Sequence, residues 1–131
     1  MSRKIIINLP TKDVHRARAF YTALGFTVNE QSSGETFVSI VISETISAMF
    51  MEESIFATFS PRAICDTSKF LEVLNCLTCD SRAEVDEIIR RAIAAGGTVF
   101  EEAEDHGFMY AHSFLDPDGH GWNLFHTPGT P

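Results

Sequence analysis

The chain has 131 residues, 44% of them apolar, which is enough for one domain with its own core and too little for two of ordinary size. Ten Lys and Arg against eighteen Asp and Glu give a formal net charge of −8, which repels phosphate backbones and anionic lipid and so argues against nucleic acid or a membrane as partner. The N-terminal apolar run Ile5, Ile6 and Ile7 ends at Asn8, too short for a signal peptide, and no stretch approaches the roughly 18 apolar residues of a spanning helix, so a cytoplasmic location is expected.

Lys4 to Leu9 is β-branched and reads as a strand, ended by Pro10. Asp13 offers an N-cap, Val14, Ala17, Phe20, Tyr21 and Leu24 recur at helical spacing, and Gly25 supplies the stop. After Phe26, Thr27 and Val28, two runs, Thr36 to Ile42 and Ile46 to Met51, flank the short Ser43-Glu44-Thr45 connection of a hairpin. Glu53 to Phe70 has no sustained period and contains Ser60-Pro61, so 53–72 reads as a linker with one helical turn.

The order then repeats. Val73 to Cys79 reads as a strand, and Ser81 with Glu84 has the form of a capping box. Val85, Ile88, Ile89, Ala92 and Ile93 form an apolar helical stripe, stopped by Gly96-Gly97. Thr98, Val99 and Phe100 restart an extended segment, and Glu101 to Asp105 with His106 reads as a solvated acidic rim. Two strands, Phe108 to Leu115 and Trp122 to His126, flank the turn Asp116-Pro117-Asp118-Gly119, whose residue types suit Asx bonding and a positive φ. Units over 4–52 and 73–127 share their element order and punctuation, as a duplication would.

The three cysteines, Cys65, Cys76 and Cys79, form no disulfide framework and fit a reducing compartment. Cys76 and Cys79 make a C-x-x-C, but on a strand positions three apart point to opposite faces, so they read as small buried or edge thiols.

The paired β-α-β-β-β units, the D-x-x-x-A-x-x-F-Y-x-x-L-G-F helix over 13–26 and the D-P-D-G-H-x-W turn over 116–122 resemble the vicinal oxygen chelate superfamily of glyoxalases, bleomycin-resistance proteins and extradiol dioxygenases. Within it, N-L-P-x-K-D over 8–13, V-I-S-E-T-I over 41–46 and D-H-G-F-M-Y over 105–110 are similar to small bacterial glyoxalase-like proteins. The resemblance implies an α+β fold of two βαβββ repeats. They would form an eight-stranded curved mixed sheet with helices on the convex face, a ligand cleft on the concave face, and often a homodimer.

Metal-dependent members draw ligands from four inward strand positions, leaving the ion incompletely coordinated so that substrate oxygens can reach it. Carried onto this chain, those positions fall at Ile6, Leu74, Asn123 and Glu52, of which two carry no donor and one a neutral amide. No metal site and no cofactor are therefore expected. His106, His112, His120 and His126 crowd the last quarter, but alternation sends His120 and His126 away from the Asn123 side, and surface or hydrogen-bonded roles are expected for them; His15 reads as exposed.

The cleft would instead be lined by Ile6, Asn8, Leu74, Cys76, Ala111, Ser113, Asn123 and Phe125, an apolar set with a few neutral hydrogen-bonding groups. Glu52 is the one carboxylate nominated inside it, as a general base. The resulting expectation is a glyoxalase/bleomycin-resistance-like protein that binds a small, largely uncharged molecule. One alternative is a metal-dependent lyase or dioxygenase, like lactoylglutathione lyase, with a rearranged set using Glu52, Asn123 and a histidine. Another is an interaction module whose cleft is filled by Phe side chains. Whether the chain is an enzyme stays open.

Overall fold

A computed structural model describes residues 3–128; Met1 and Ser2, which begin the N-terminal stretch read above, lie outside them. The chain divides into two compact units, one ending at Ile64 and the other beginning at Cys65.

In the first unit, β1 (Ile5–Thr11) leads through Asp13 into α1 (Val14–Ala23). The Asp13 carboxylate accepts from the Arg16 N–H at 3.1 Å, satisfying one of the helix's orphan donors, and Gly25 turns the chain out at φ 105°. The two-residue strand β2 (Thr27–Val28), a 3₁₀ turn over Glu30–Ser32, β3 (Phe37–Ser43) and β4 (Ile46–Glu52) follow. The sheet order is β1-β4-β3-β2, with β1 parallel to β4 and the rest antiparallel. Val14, Ala17, Phe20 and Tyr21 of α1 are buried, as are Leu9, Val38, Ile40, Ala48 and Phe50 on one face of the sheet. Tyr21 stacks on Phe50 with ring centroids 4.5 Å apart and meets Phe20 edge-on at 5.0 Å. α2 (Glu53–Phe56) and a 3₁₀ turn over Ala57–Phe59 follow β4.

The second unit repeats the plan: β5 (Leu74–Thr78), α3 (Arg82–Ala94), β6 (Thr98–Asp105), β7 (Tyr110–Leu115) and β8 (Gly121–His126). The sheet runs β5-β8-β7-β6, again with the first and last strands parallel. Ser81 caps α3 by accepting from the Glu84 N–H at 3.0 Å, while the Glu84 side chain reaches back to the Asp80 N–H at 2.9 Å. Val85, Ile89 and Ala92 of α3 are buried, with Phe114, Trp122 and Leu124 of the sheet. The two βαβββ repeats read from the sequence are therefore present as two four-stranded mixed sheets, each with its own helix.

Four expectations change. Pro10 does not end β1, which runs on to Thr11; β1 lies at the sheet edge, where a residue lacking an N–H need break no ladder bond. The acidic rim after Phe100 is exposed as expected, but it is strand, the outer half of β6, irregular in register at two points. Its carboxylates guard an open sheet edge against further pairing. Ile93 is 42% exposed and does not belong to the buried stripe. The segment read as a linker is shared out: α2 and its 3₁₀ turn belong to the first unit, and the chain from Cys65 to the second.

Candidate functional site

Strand alternation gives the first sheet an α1 face and an open face. On the open face the register sets Ile6, Ser47 and Val41 in one row and Asn8, Met49 and Ser39 in the next. The rows mix apolar floor with neutral polar groups. A cavity of about 310 Å³ lies over them, lined by Ile6, Ser39, Val41, Ser47 and Met49, with Ser43, Glu44, Thr45 and Ile46 of the β3–β4 hairpin, Lys4 ahead of β1, and Asn29 and Ser32 of the 3₁₀ turn.

The wall at Asn29 is held in place locally. The Ser33 hydroxyl donates to the Asn29 carbonyl at 2.7 Å and accepts from the Ser39 N–H at 3.0 Å, while the Asn29 N–H donates to the Ser39 carbonyl at 2.9 Å. By contrast, the side chains of Asn29, Ser39, Ser43, Thr45 and Ser47 have no partner among the described residues. Their donors and acceptors are uncommitted.

In the second unit, Cys76, Asn123 and Ser113 share a row and Thr78, Phe125 and Ala111 the next, with Leu74 beside Gly121. The alternate positions, Trp122, Leu124 and Phe114, are the ones buried with α3, so this row faces away from the helix. Glu101, read from the sequence as part of an acidic rim, is set by the register opposite Ser113, and its N–H donates to the Ser113 hydroxyl at 3.1 Å. The irregular register of β6 hides that alternation in the sequence. Desolvation raises the Cys76 thiol above its ordinary range and, with Glu84 and Asp80 nearby, pushes Cys79 to about 12. Neither is an activated nucleophile.

Glu52 is a correction. It pairs with Thr11 as Phe50 pairs with Leu9, which puts it on the α1 side at the end of β4, while Met51 takes the open-face position. One residue of strand reverses the face. The histidines also divide. His15 and His106 are exposed, and His126 bonds the Cys79 carbonyl at 3.0 Å through Nδ1. His120 is only 1% exposed and is bonded through Nδ1 to Glu72, so a surface role does not hold for it. His120 also sits with Asp116 and Asp118, their ligand-type atoms all within 4.8 Å of one another. This cluster is built as a turn: Asp116 Oδ1 accepts from the N–H groups of Asp118 and His120, each at 2.9 Å, and Gly119 has φ 87°.

A catalytic transition-metal ion needs several imidazole, carboxylate or thiolate donors converging with positions left open. At the positions implied by the resemblance, Ile6 and Leu74 carry no donor, Asn123 offers a neutral amide and Glu52 lies on the α1 side. These residues do not fit such an ion.

Residues 4–43 match the family model described as bleomycin resistance protein-like N-terminal. No curated protein matches the chain. Among solved structures, a hypothetical protein from S. aureus is 28% identical with TM-score 0.81, over 95% of this chain and 94% of that one. A glyoxalase/bleomycin resistance protein/dioxygenase family enzyme from Burkholderia phytofirmans PsJN is 21% identical with TM-score 0.78, over 96% and 99%. A glyoxalase-related enzyme from Fulvimarina pelagi is 17% identical with TM-score 0.82, over 100% and 92%. The N-terminal family match and the shared fold bear out the resemblance to the vicinal oxygen chelate superfamily: the chain has the glyoxalase/bleomycin-resistance fold, and its residues 4–43 are similar to the N-terminal part of bleomycin resistance proteins.

Proposed function

We propose that this protein binds a small, largely uncharged molecule on the open faces of its sheets, without the metal site of its metal-dependent relatives. The observation that carries this reading is the first unit's cavity. Its volume lies at the lower end of the range for ligand pockets, its floor is Ile6, Val41 and Met49, and its walls present uncommitted hydroxyls and one amide. Apolar floor supplies the affinity of burial, Met49 adapts its shape to an aromatic ring, and neutral polar groups fix orientation. Asn8 adjoins the same surface, and Leu74, Cys76, Ser113, Asn123 and Phe125 form the corresponding lining of the second unit. The protein works in the cytoplasm as a homodimer under this reading. Among the described residues no helix is long and apolar enough to cross a membrane.

Titration with N-phenyl-1-naphthylamine, a neutral aromatic fluorophore, tests the cavity. Saturable binding is expected, and Ser47→Phe, which fills the floor between Ile6 and Val41, is expected to abolish it. Binding unchanged in that variant would remove the site. Elemental analysis of protein purified without a metal-affinity column tests the rest: stoichiometric Ni, Zn, Fe or Mn surviving dialysis would overturn the metal-free reading.

A further inference from the structure

Lys4 and Glu44 are the two charged residues of the cavity lining. Both are exposed, and neither has an ion-pair or hydrogen-bond partner among the described residues, although they line the same cavity. Their placement follows from the sheet. Lys4 precedes Ile5, whose N–H donates to the Thr45 carbonyl at 2.8 Å, and Glu44 precedes Thr45 in the hairpin. A cation and an anion thus flank the point where β1 meets the β3–β4 turn, while the remaining lining is neutral.

We propose that this cavity takes an amphoteric ligand of net charge zero, an α-amino acid with an apolar side chain or a molecule of the same chemistry. Its carboxylate meets Lys4, its ammonium meets Glu44, and its apolar body lies over Ile6, Val41 and Met49. The inference rests on the reading of the cavity as a ligand site and narrows its ligand from a largely uncharged molecule to one whose two charges cancel. A purely anionic ligand would gain Lys4 but face Glu44 and a chain of net charge −8, and a cation would face Lys4; only a ligand carrying both charges is matched at both residues. The hydroxyls of Ser43, Thr45 and Ser47 are uncommitted and can bond either head group.

Four indoles with one ring and different charges provide the test: indole, 3-indolepropionate, tryptamine and tryptophan. Affinities for the full chain are measured by ligand-observed NMR at low salt for the wild type, Lys4→Gln and Glu44→Gln. Tryptophan is expected to bind tightest. Lys4→Gln should weaken tryptophan and 3-indolepropionate by about twofold to fivefold, the scale of exposed ion pairs, leave indole unchanged and leave tryptamine as tight or tighter. Glu44→Gln should weaken tryptophan and tryptamine by a similar factor, leave indole unchanged and leave 3-indolepropionate as tight or tighter. Salt at about 0.5 M should erase the differences by screening. Indole binding with no charge preference, or a preference that responds to one variant and not the other, would overturn the inference and leave the cavity reading standing. Failure of all four indoles to bind would remove both.

Discussion

The site depends on which way each side chain of β4 points, and two neighbouring residues test that directly. Phe50 is fully buried and stacks on Tyr21 at 4.5 Å, whereas Met49, the next residue back, is half-buried and lines the cavity. Phe50→Ala loses the transfer energy of the ring and its stacking on Tyr21 and leaves a void, about 3–5 kcal/mol in all. Met49→Ala removes a side chain from an open face, where no packed cavity forms, and should cost less than about 1 kcal/mol. Urea denaturation followed by far-UV circular dichroism reads the difference, with an unchanged slope confirming that the denatured state is the same. A domain of this kind is stable by about 5–15 kcal/mol, so Phe50→Ala falls near the limit of folding. Phe50→Leu, at about 1–2 kcal/mol, keeps the comparison measurable. Equal losses at the two positions, or a larger loss at Met49, would refute the assignment of faces.

Other perturbations follow from single features of the second unit. Gly119 has φ 87°, and a Cβ there would meet Thr67 Oγ1 at 2.8 Å, so Gly119→Ala should lose at least about 1–3 kcal/mol in the same denaturation assay; a neutral result would refute the turn geometry. The hydrogen bonds of Arg82, at 2.6 and 2.8 Å, and of the Gly107 N–H hold the Asp105 carboxyl at about 2. A depressed carboxylate stabilises the fold fully above its unfolded value, and that contribution fades as pH falls from about 4 to about 2. In Arg82→Met the Asp105 titration, followed by carbon NMR, should move toward the ordinary value near 4, and no movement would show that the pair does not form in solution. Iodoacetamide at mild alkaline pH should label exposed Cys76 in the native protein and reach buried Cys79, held at about 12, only after unfolding; mass mapping with the order reversed would contradict the placement of β5. Asn75 Nδ2 is buried with no partner among the described residues, so Asn75→Leu should gain about 1 kcal/mol, and a comparable loss would reveal a partner.

Where local chemistry decides an element, the sequence is a sufficient guide. Asp13 and Ser81 cap helices because their side-chain oxygens reach donors a helix cannot satisfy itself, and Gly25 and Gly96 end them with φ of 105° and 107°. The same holds for Asp116, whose carboxylate folds the 116–120 turn. The misreadings share a different origin. Pro10 stays in β1, and Glu101 to Asp105 stay in β6, because both strands lie at sheet edges, where only one side of the backbone must be paired. Edge position is a property of the assembled sheet, not of the local residues, so neither proline nor a run of carboxylates stops these strands.

The site divides along the same line. Alternation, once a strand is anchored by its buried partners, fixes faces: Ile6 and Asn8 fall opposite Leu9, and Asn123 and Phe125 opposite Trp122 and Leu124. Glu52 escaped because it is counted from the far end of a hairpin, where one residue changes the face. The cavity was legible in only one residue of its lining, Ile6. It needs Asn29 and Ser32 from a 3₁₀ turn that has no apolar period to announce it, held against Ser39 by the Ser33 hydroxyl, and it needs Lys4 brought beside the Glu44 turn by a parallel pairing between strands about forty residues apart. A polar turn carries no signal of where it lands. Only the parallel register of β1 on β4 carries Lys4 to the hairpin, and the charge-matched mouth proposed here is a consequence of that register.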